Sequence, residues 1–76
     1  MPEKRKSIIV TVTDDALNDI YQVANQLAAE GMEVDRVMPV TGVIAGSSPS
    51  TKMADLKNVD GVMSVEEEAT AELRGF

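Results

Sequence analysis

The most reactive side chains in this 76-residue sequence are four lysines, each of which would have to act as a Schiff-base amine to carry out covalent chemistry. Such an amine is reactive only in a pocket that strips water from it. Lys4 and Lys6 lie in a polar N-terminal segment, and Lys52 and Lys57 are expected on the outer side of a short helix. All four are therefore predicted to be solvated.

The residue types that most often supply nucleophiles and bases are missing, because the sequence contains neither cysteine nor histidine. Their absence removes thiol catalysis, thiolate metal sites and the imidazole base. Ser47, Ser48 and Ser50 have no histidine to activate them and are expected in turns and at a helix cap. No glycine-rich turn leads into a helix followed by Lys-Ser or Lys-Thr, so no phosphate loop is predicted. The sequence predicts a non-enzymatic protein without a cofactor.

Acidic residues occur in two short runs that resemble metal ligands. Asp14 and Asp15 are adjacent and lack the loop that would arrange several oxygens around a hard cation, whereas both suit a helix N-terminus. Glu66, Glu67 and Glu68 follow one another on a predicted strand, where successive side chains point to opposite faces. No metal site is predicted at either run.

The net charge of −6 and the scarcity of aromatic residues limit the class of partner. A negative chain repels nucleic-acid phosphates and anionic membranes. One Tyr, one Phe and no Trp give bases no stacking platform. No apolar stretch approaches the ~20 residues of a membrane span, and the charged start of the chain is not followed by a signal-peptide core. We expect a cytoplasmic protein that binds neither nucleic acid nor membrane.

The first half of the chain predicts a strand, a helix and a second strand. β-Branched residues alternate over residues 7–13, as in a central strand. The helix begins at the two aspartates and ends before Gly31, which suits a left-handed C-terminal cap. Its predicted buried face comprises Leu17, Ile20, Tyr21, Ala24, Leu27 and Ala28. A strand over residues 32–40 changes phase at Arg36 and Val37, which indicates a bulge. It contains Pro39, which cannot donate a hydrogen bond to a neighbouring strand and so indicates an edge strand.

The second half predicts a strand, a short helix and a last strand. Residues 43–46 are apolar on both faces and are expected in the centre of a sheet. Ser48 is predicted as the cap of the next helix, with Pro49 at its first helical position. The narrow apolar stripe of this helix consists of Met53 and Leu56. The last strand covers residues 62–65 and continues into the glutamates.

This order of elements predicts an α+β fold, the ferredoxin-like βαββαβ plait. Right-handed crossovers place both helices on one face of a four-stranded antiparallel sheet, with the first and third strands in the centre. The domain spans residues 7–68, with a flexible N-terminus over residues 1–6 and a C-terminal tail over residues 69–76. The other sheet face is uncovered, and we expect a partner protein or a second copy of the chain, as a homodimer, to use it.

The second half also resembles the end of subtilisin propeptides, the peptidase inhibitor I9 family. The resemblance rests on residues 42–46, Gly-Val-Ile-Ala-Gly, on the helix that begins with Ser-Pro, and on residues 59–68. The last segment reads Val-Asp-Gly-Val-Met-Ser-Val-Glu-Glu-Glu and is similar to the family's final strand, Gly-Val-x-x-Val-Glu-Glu-Asp. With the first half agreeing in outline, the resemblance covers residues 7–68. It implies a module for a subtilisin-like serine protease, and we expect a free-standing inhibitor or chaperone-like protein without an attached protease domain.

The resemblance also implies a set of binding residues. Family members lay the uncovered sheet face on two helices of the protease, and acids at the end of the last strand cap the N-termini of those helices. In this chain the acids would be Glu66, Glu67 and Glu68.

The C-terminal tail of such a propeptide lies in the substrate cleft of the protease like a product. The corresponding residues here are Leu73, Arg74, Gly75 and Phe76. The tail is longer than is usual in the family. Insertion to its end would place Leu73 and Phe76 in the two main subsites, whereas insertion to the usual length would place Ala71 and Arg74 there.

Two other resemblances bear on function. Short bacterial proteins, notably cyanobacterial ones, that carry the name ketohydroxyglutarate aldolase look similar, but that activity requires a buried lysine in a large α/β barrel, which 76 residues cannot form. The alternative to protease binding is an ACT-like regulatory or dimerisation domain, which has the same order of elements and binds a small ligand near the first strand–helix turn. That turn is Thr13-Asp14-Asp15 here, and its charges would repel a carboxylate.

Overall fold

The computed structural model describes residues 5–67, which fold into four strands and two helical segments. In chain order these are β1 (Arg5–Val12), a 3₁₀ segment (Asp14–Asp19) leading into α1 (Ile20–Ala29), β2 (Glu33–Met38), β3 (Val43–Pro49), a 3₁₀ segment (Ser50–Lys52) leading into α2 (Met53–Lys57), and β4 (Val62–Glu67). The strands form one antiparallel sheet in the order β2-β3-β1-β4. The predicted ferredoxin-like α+β fold, with the first and third strands in the centre, is confirmed.

The hydrophobic core lies between the helices and one face of the sheet. Ile8, Val10 and Val12 of β1 are buried and alternate with partly exposed neighbours, as the two-residue period of a strand requires. The other buried apolar residues are Ala16, Ile20, Val23, Ala24, Leu27, Met32, Ile44, Leu56 and Val65. Since none of these is aromatic, the core depends on close packing of aliphatic and methionine side chains. No helix within residues 5–67 is long and apolar enough to cross a membrane.

The predicted buried face of the first helix is wrong in part. The segment Asp14–Asp19 is a 3₁₀ helix with about three residues per turn, so its side chains are rotated relative to those of a continuous α-helix. Ala16 and Val23 are buried instead of the predicted residues at neighbouring positions. The members of the predicted face that are exposed are Leu17, Tyr21 and Ala28.

The predicted start of the second helix is also wrong. Ser48 and Pro49 belong to β3, which runs three residues further than the sequence pattern indicates. They pair with Lys6 and Arg5 because β1 begins two residues before its predicted start. The Ser48 side chain is completely buried and its Oγ donates a hydrogen bond to the carbonyl oxygen of Pro49 at 3.2 Å. Ser48 therefore does not cap the helix, which begins with the 3₁₀ segment at Ser50.

The two edge strands are irregular. The register between β2 and β3 shifts between Val34 and Arg36, so Asp35 is the extra residue of a bulge. The sequence predicted this bulge one position further along the chain, on a longer strand. A second shift occurs between β1 and β4 and leaves Met63 without a partner on β1. The first bulge is what allows Val34 and Val37 both to pack against the core.

Gly46 is required where β2 lies very close to its neighbour β3. It pairs with Val34, next to the bulge. A Cβ at this position would collide with the backbone carbonyl oxygen of Glu33 and would lie 3.0 Å from the Cε of Met32. The absence of a side chain therefore permits the close approach of the two strands.

Candidate protein-interaction surface

The sheet face opposite the helices has an apolar centre. On β1 the side chains of Ile9 and Thr11 alternate with those of the core residues and so point away from the helices. The strand register places Ala45 beside Ile9 and Val43 beside Thr11. All four are only partly buried. We call this surface the open face, and it consists of Ile9, Thr11, Arg36, Met38, Val43, Ala45, Ser64 and Glu66.

Opposite charges lie at the two ends of one row across the open face. Arg36 pairs with Ala45, and Ile9 pairs with both Ala45 and Glu66, so the four residues lie side by side on the four strands. With strands about 4.8 Å apart, the ends of the row are about 14 Å apart. Arg36 and Glu66 are exposed, and neither has an ion pair or a side-chain hydrogen bond within residues 5–67. The row thus runs from positive, through apolar, to negative.

A polar cluster lies at one end of the same sheet face. The guanidinium of Arg5 donates from Nε to the Oγ of Ser47 and from Nη2 to the carbonyl oxygen of Ser47, both at 3.4 Å. Its Nη2 is also 3.9 Å from the Oε1 of Glu33. Because both charged side chains are well exposed, the ion pair contributes little to stability, about 1 kcal/mol at most. The pair places one positive and one negative charge side by side at this end of the sheet face.

The structure separates two of the predicted binding acids. Glu66 lies on the open face, whereas Glu67 pairs with Ile8 on β1 and therefore lies on the other face. There the Oε2 of Glu67 is 3.4 Å from the Nζ of Lys6. The remaining predicted binding residues lie outside the described residues: Glu68, Leu73, Arg74, Gly75 and Phe76. Of the two predicted binding acids whose positions are described, Glu66 is the one on the uncovered side of the sheet.

A groove runs between α1 and the turn before β4. It comprises two cavities of about 410 Å³ each, which share Gln26 and Asp60. The carboxylates that line it belong to Asp15, Asp19, Glu30, Asp55 and Asp60, and no lysine or arginine is among the described lining residues. The groove lies at the turn where an ACT-like domain would hold its ligand. Its negative potential opposes binding of an amino acid carboxylate.

The side chains considered for catalysis are not brought together. Lys6 forms the ion pair with Glu67, and Lys52 and Lys57 are exposed. The hydroxyl of Ser48 is buried against a backbone carbonyl group and has no basic partner among the described residues. Within residues 5–67 no group of three or more acidic side chains could hold a metal ion.

Comparison with protein-family models and with curated protein sequences finds no match to this chain. Among solved structures, the chain is similar to the solution structure of Escherichia coli NapD, a Tat proofreading chaperone. The two have a TM-score of 0.63 and 20% sequence identity, over 92% of this chain and 79% of NapD. At this identity the similarity shows a shared fold and agrees with the ferredoxin-like topology. The resemblance to I9 propeptides stays a prediction.

Sequence reasoning missed Arg36 as a candidate binding residue. Simple alternation along β2 would put Arg36 on the same face as Val34, toward the core. The bulge at Asp35 reverses this phase and turns Arg36 to the open face. The change of phase at Arg36 and Val37 was visible in the sequence. The pairing of β2 with β3, which fixes the position of the bulge, was not.

Proposed function

We propose that this chain is a non-enzymatic module that binds another polypeptide on the open face of its sheet. The observation that carries the proposal is the row of Arg36, Ala45, Ile9 and Glu66. In this row two aliphatic side chains remain partly exposed between two charges that have no partner within the described residues. An apolar centre with a charged rim is the usual composition of a protein-binding surface.

The structural similarity to NapD supports a protein as the partner. NapD, which has a similar fold, is described as a Tat proofreading chaperone. The resemblance to I9 propeptides supports a finer proposal, in which the partner is a subtilisin-like serine protease that packs two helices on the open face. Glu66 would then lie at the N-terminus of one helix, where a carboxylate is favoured by the helix dipole. Glu67 would not share this role, because it lies on the other face beside Lys6.

Purified subtilisin is the probe for this proposal. The native chain, Ile9→Asp, Glu66→Gln and the control Ala54→Asp are compared as inhibitors of peptide hydrolysis, with circular dichroism to check folding and intact mass to detect cleavage. Ala54 is exposed on α2, away from the open face. We expect the native chain and the control to inhibit equally. Ile9→Asp should weaken inhibition at least about tenfold, because it buries a charge in the contact.

Each outcome bears on a separate part of the proposal. Equal inhibition by folded Ile9→Asp would exclude the open face as the contact surface. An unchanged inhibition constant for Glu66→Gln would exclude the helix-capping role of Glu66. Rapid digestion of the native chain without inhibition would exclude the protease. A chain that ends at Glu68 should fold and fail to inhibit if the tail occupies the cleft. The ACT-like alternative has less support, because the groove beside Asp15 is acidic.

A further inference from the structure

The charged row on the open face is complementary to itself. Its positive end, Arg36, lies on β2, and its negative end, Glu66, lies on β4, at opposite edges of the sheet. Ala45 and Ile9 occupy the two central strands between them. A row whose charge changes sign across its midline can pair with an identical row that is turned so that its two ends are exchanged.

The charge pattern distinguishes two orientations of a dimer. A two-fold axis parallel to the strands, between β3 and β1, places β2 of one copy over β4 of the other, so that Arg36 meets Glu66 at both ends. An axis perpendicular to the strands and through the row places each strand over its own copy, so that Arg36 would face Arg36. Since like charges repel and opposite charges attract, the pattern favours the parallel axis.

The parallel axis also matches the apolar centre. It places Ala45 of one copy over Ile9 of the other, and Val43 over Thr11 in the next row. Sheets that pack face to face are about 10 Å apart, with strand directions within about 30° of one another. Arginine and glutamate side chains together are long enough to meet across this gap.

We infer that the open face binds a second copy of this chain in this orientation, with two Arg36–Glu66 ion pairs on either side of a centre formed by Ile9 and Ala45. The inference rests on the proposed function, because it names a partner for the same face. Four strands about 4.8 Å apart and roughly five residues long cover on the order of 300 Å² per copy. This is less than the ~800 Å² per partner of a stable interface, so the dimer is weak and reversible.

The test is sedimentation equilibrium of the full chain from micromolar to millimolar concentration. The variants are Arg36→Glu, Glu66→Arg and the double charge exchange, which keeps the native net charge. Controls with the same change in net charge are Lys57→Glu and Glu30→Arg, both at exposed positions on the helical side. We expect each single reversal to raise the dimer dissociation constant at least about tenfold more than its control does. The double exchange should restore the native dissociation constant to within about threefold.

Three results would overturn the inference: a native chain that stays monomeric at millimolar concentration, control variants that weaken association as much as the open-face reversals, and a folded double variant that does not regain association. None of these bears on the proposed function, because inhibition of subtilisin is measured separately and at concentrations where the chain is monomeric. Loss of subtilisin inhibition, in turn, leaves the dimer in place. The two proposals can therefore fail independently.

Discussion

The buried face of α1 can be tested by replacing Val23 and Tyr21 with alanine. Val23 is 5% exposed, whereas Tyr21 is 62% exposed. The Cγ2 of Val23 lies 3.0 Å from the position that a Cβ would take on Gly61. The methyl group thus packs on a residue that has no side chain with which to fill a gap. The apolar pattern of the sequence predicted Tyr21 on the buried face and did not include Val23 there.

We expect Val23→Ala to lower the free energy of unfolding by about 2 kcal/mol. Removal of two buried methyl groups costs about 1.6 kcal/mol, at ~0.8 kcal/mol for each carbon. The cavity beside Gly61 adds about 1 kcal/mol if it does not collapse. The higher helix propensity of alanine offsets about 0.5 kcal/mol. Tyr21→Ala removes a side chain that lies mostly in water and should change the free energy by about 0.5 kcal/mol or less.

Urea unfolding followed by far-ultraviolet circular dichroism measures both variants. With an m-value of about 1 kcal/mol per molar urea for so small a domain, Val23→Ala should move the midpoint down by about 2 M. The m-value should not change, because the same surface is exposed on unfolding. If Tyr21→Ala lowered the midpoint as much as Val23→Ala, the rotation of the helix described above would be refuted.

Two other substitutions test the core and the contact between β2 and β3. Gly46→Ala should lower the midpoint of urea unfolding by about 2 M or more, because the added methyl group collides with the carbonyl oxygen of Glu33. An unchanged midpoint would contradict the close approach of the two strands. Leu27→Asp should abolish the native circular dichroism spectrum, because Leu27 is completely buried and the core offers its charge no partner. Ala28→Asp, at the next and exposed position, should fold; native spectra for both would show that the core assignment is wrong.

Strands could be predicted from the sequence because their signals are local. The β-branched run of β1 and the short apolar run of β3 indicate central strands, and Pro39 after β2 indicates an edge. The order of elements then leaves few topologies. The start of the first helix depends on a distant contact instead. The backbone N–H of Thr13 donates to the carbonyl oxygen of Gly61 at 2.9 Å, and the chain enters its 3₁₀ segment from this position.

Local sequence signals gave a wrong prediction where strand pairing was more favourable than a helix start. Ser48 and Pro49 form a good helix start by themselves, but strand pairing with Lys6 and Arg5 holds them in β3. In the candidate site, the acids at the end of β4 were visible in the sequence because they form a run. The row that joins Glu66 to the opposite edge was not, because it depends on the register of three strand pairs.

The bulges in the two edge strands bear on aggregation. Residues 7–12 are β-forming and uncharged, which is the composition of segments that build cross-β fibrils. They lie in β1, which is paired on both sides, and the outer strands of the described sheet are interrupted at Asp35 and Met63. Bulged edges that carry charge are poor templates for a further strand. Fibril formation would then require the whole sheet to unfold, and its rate would follow the rate of global unfolding. The native chain can therefore be concentrated without further strands adding to the edges of its sheet.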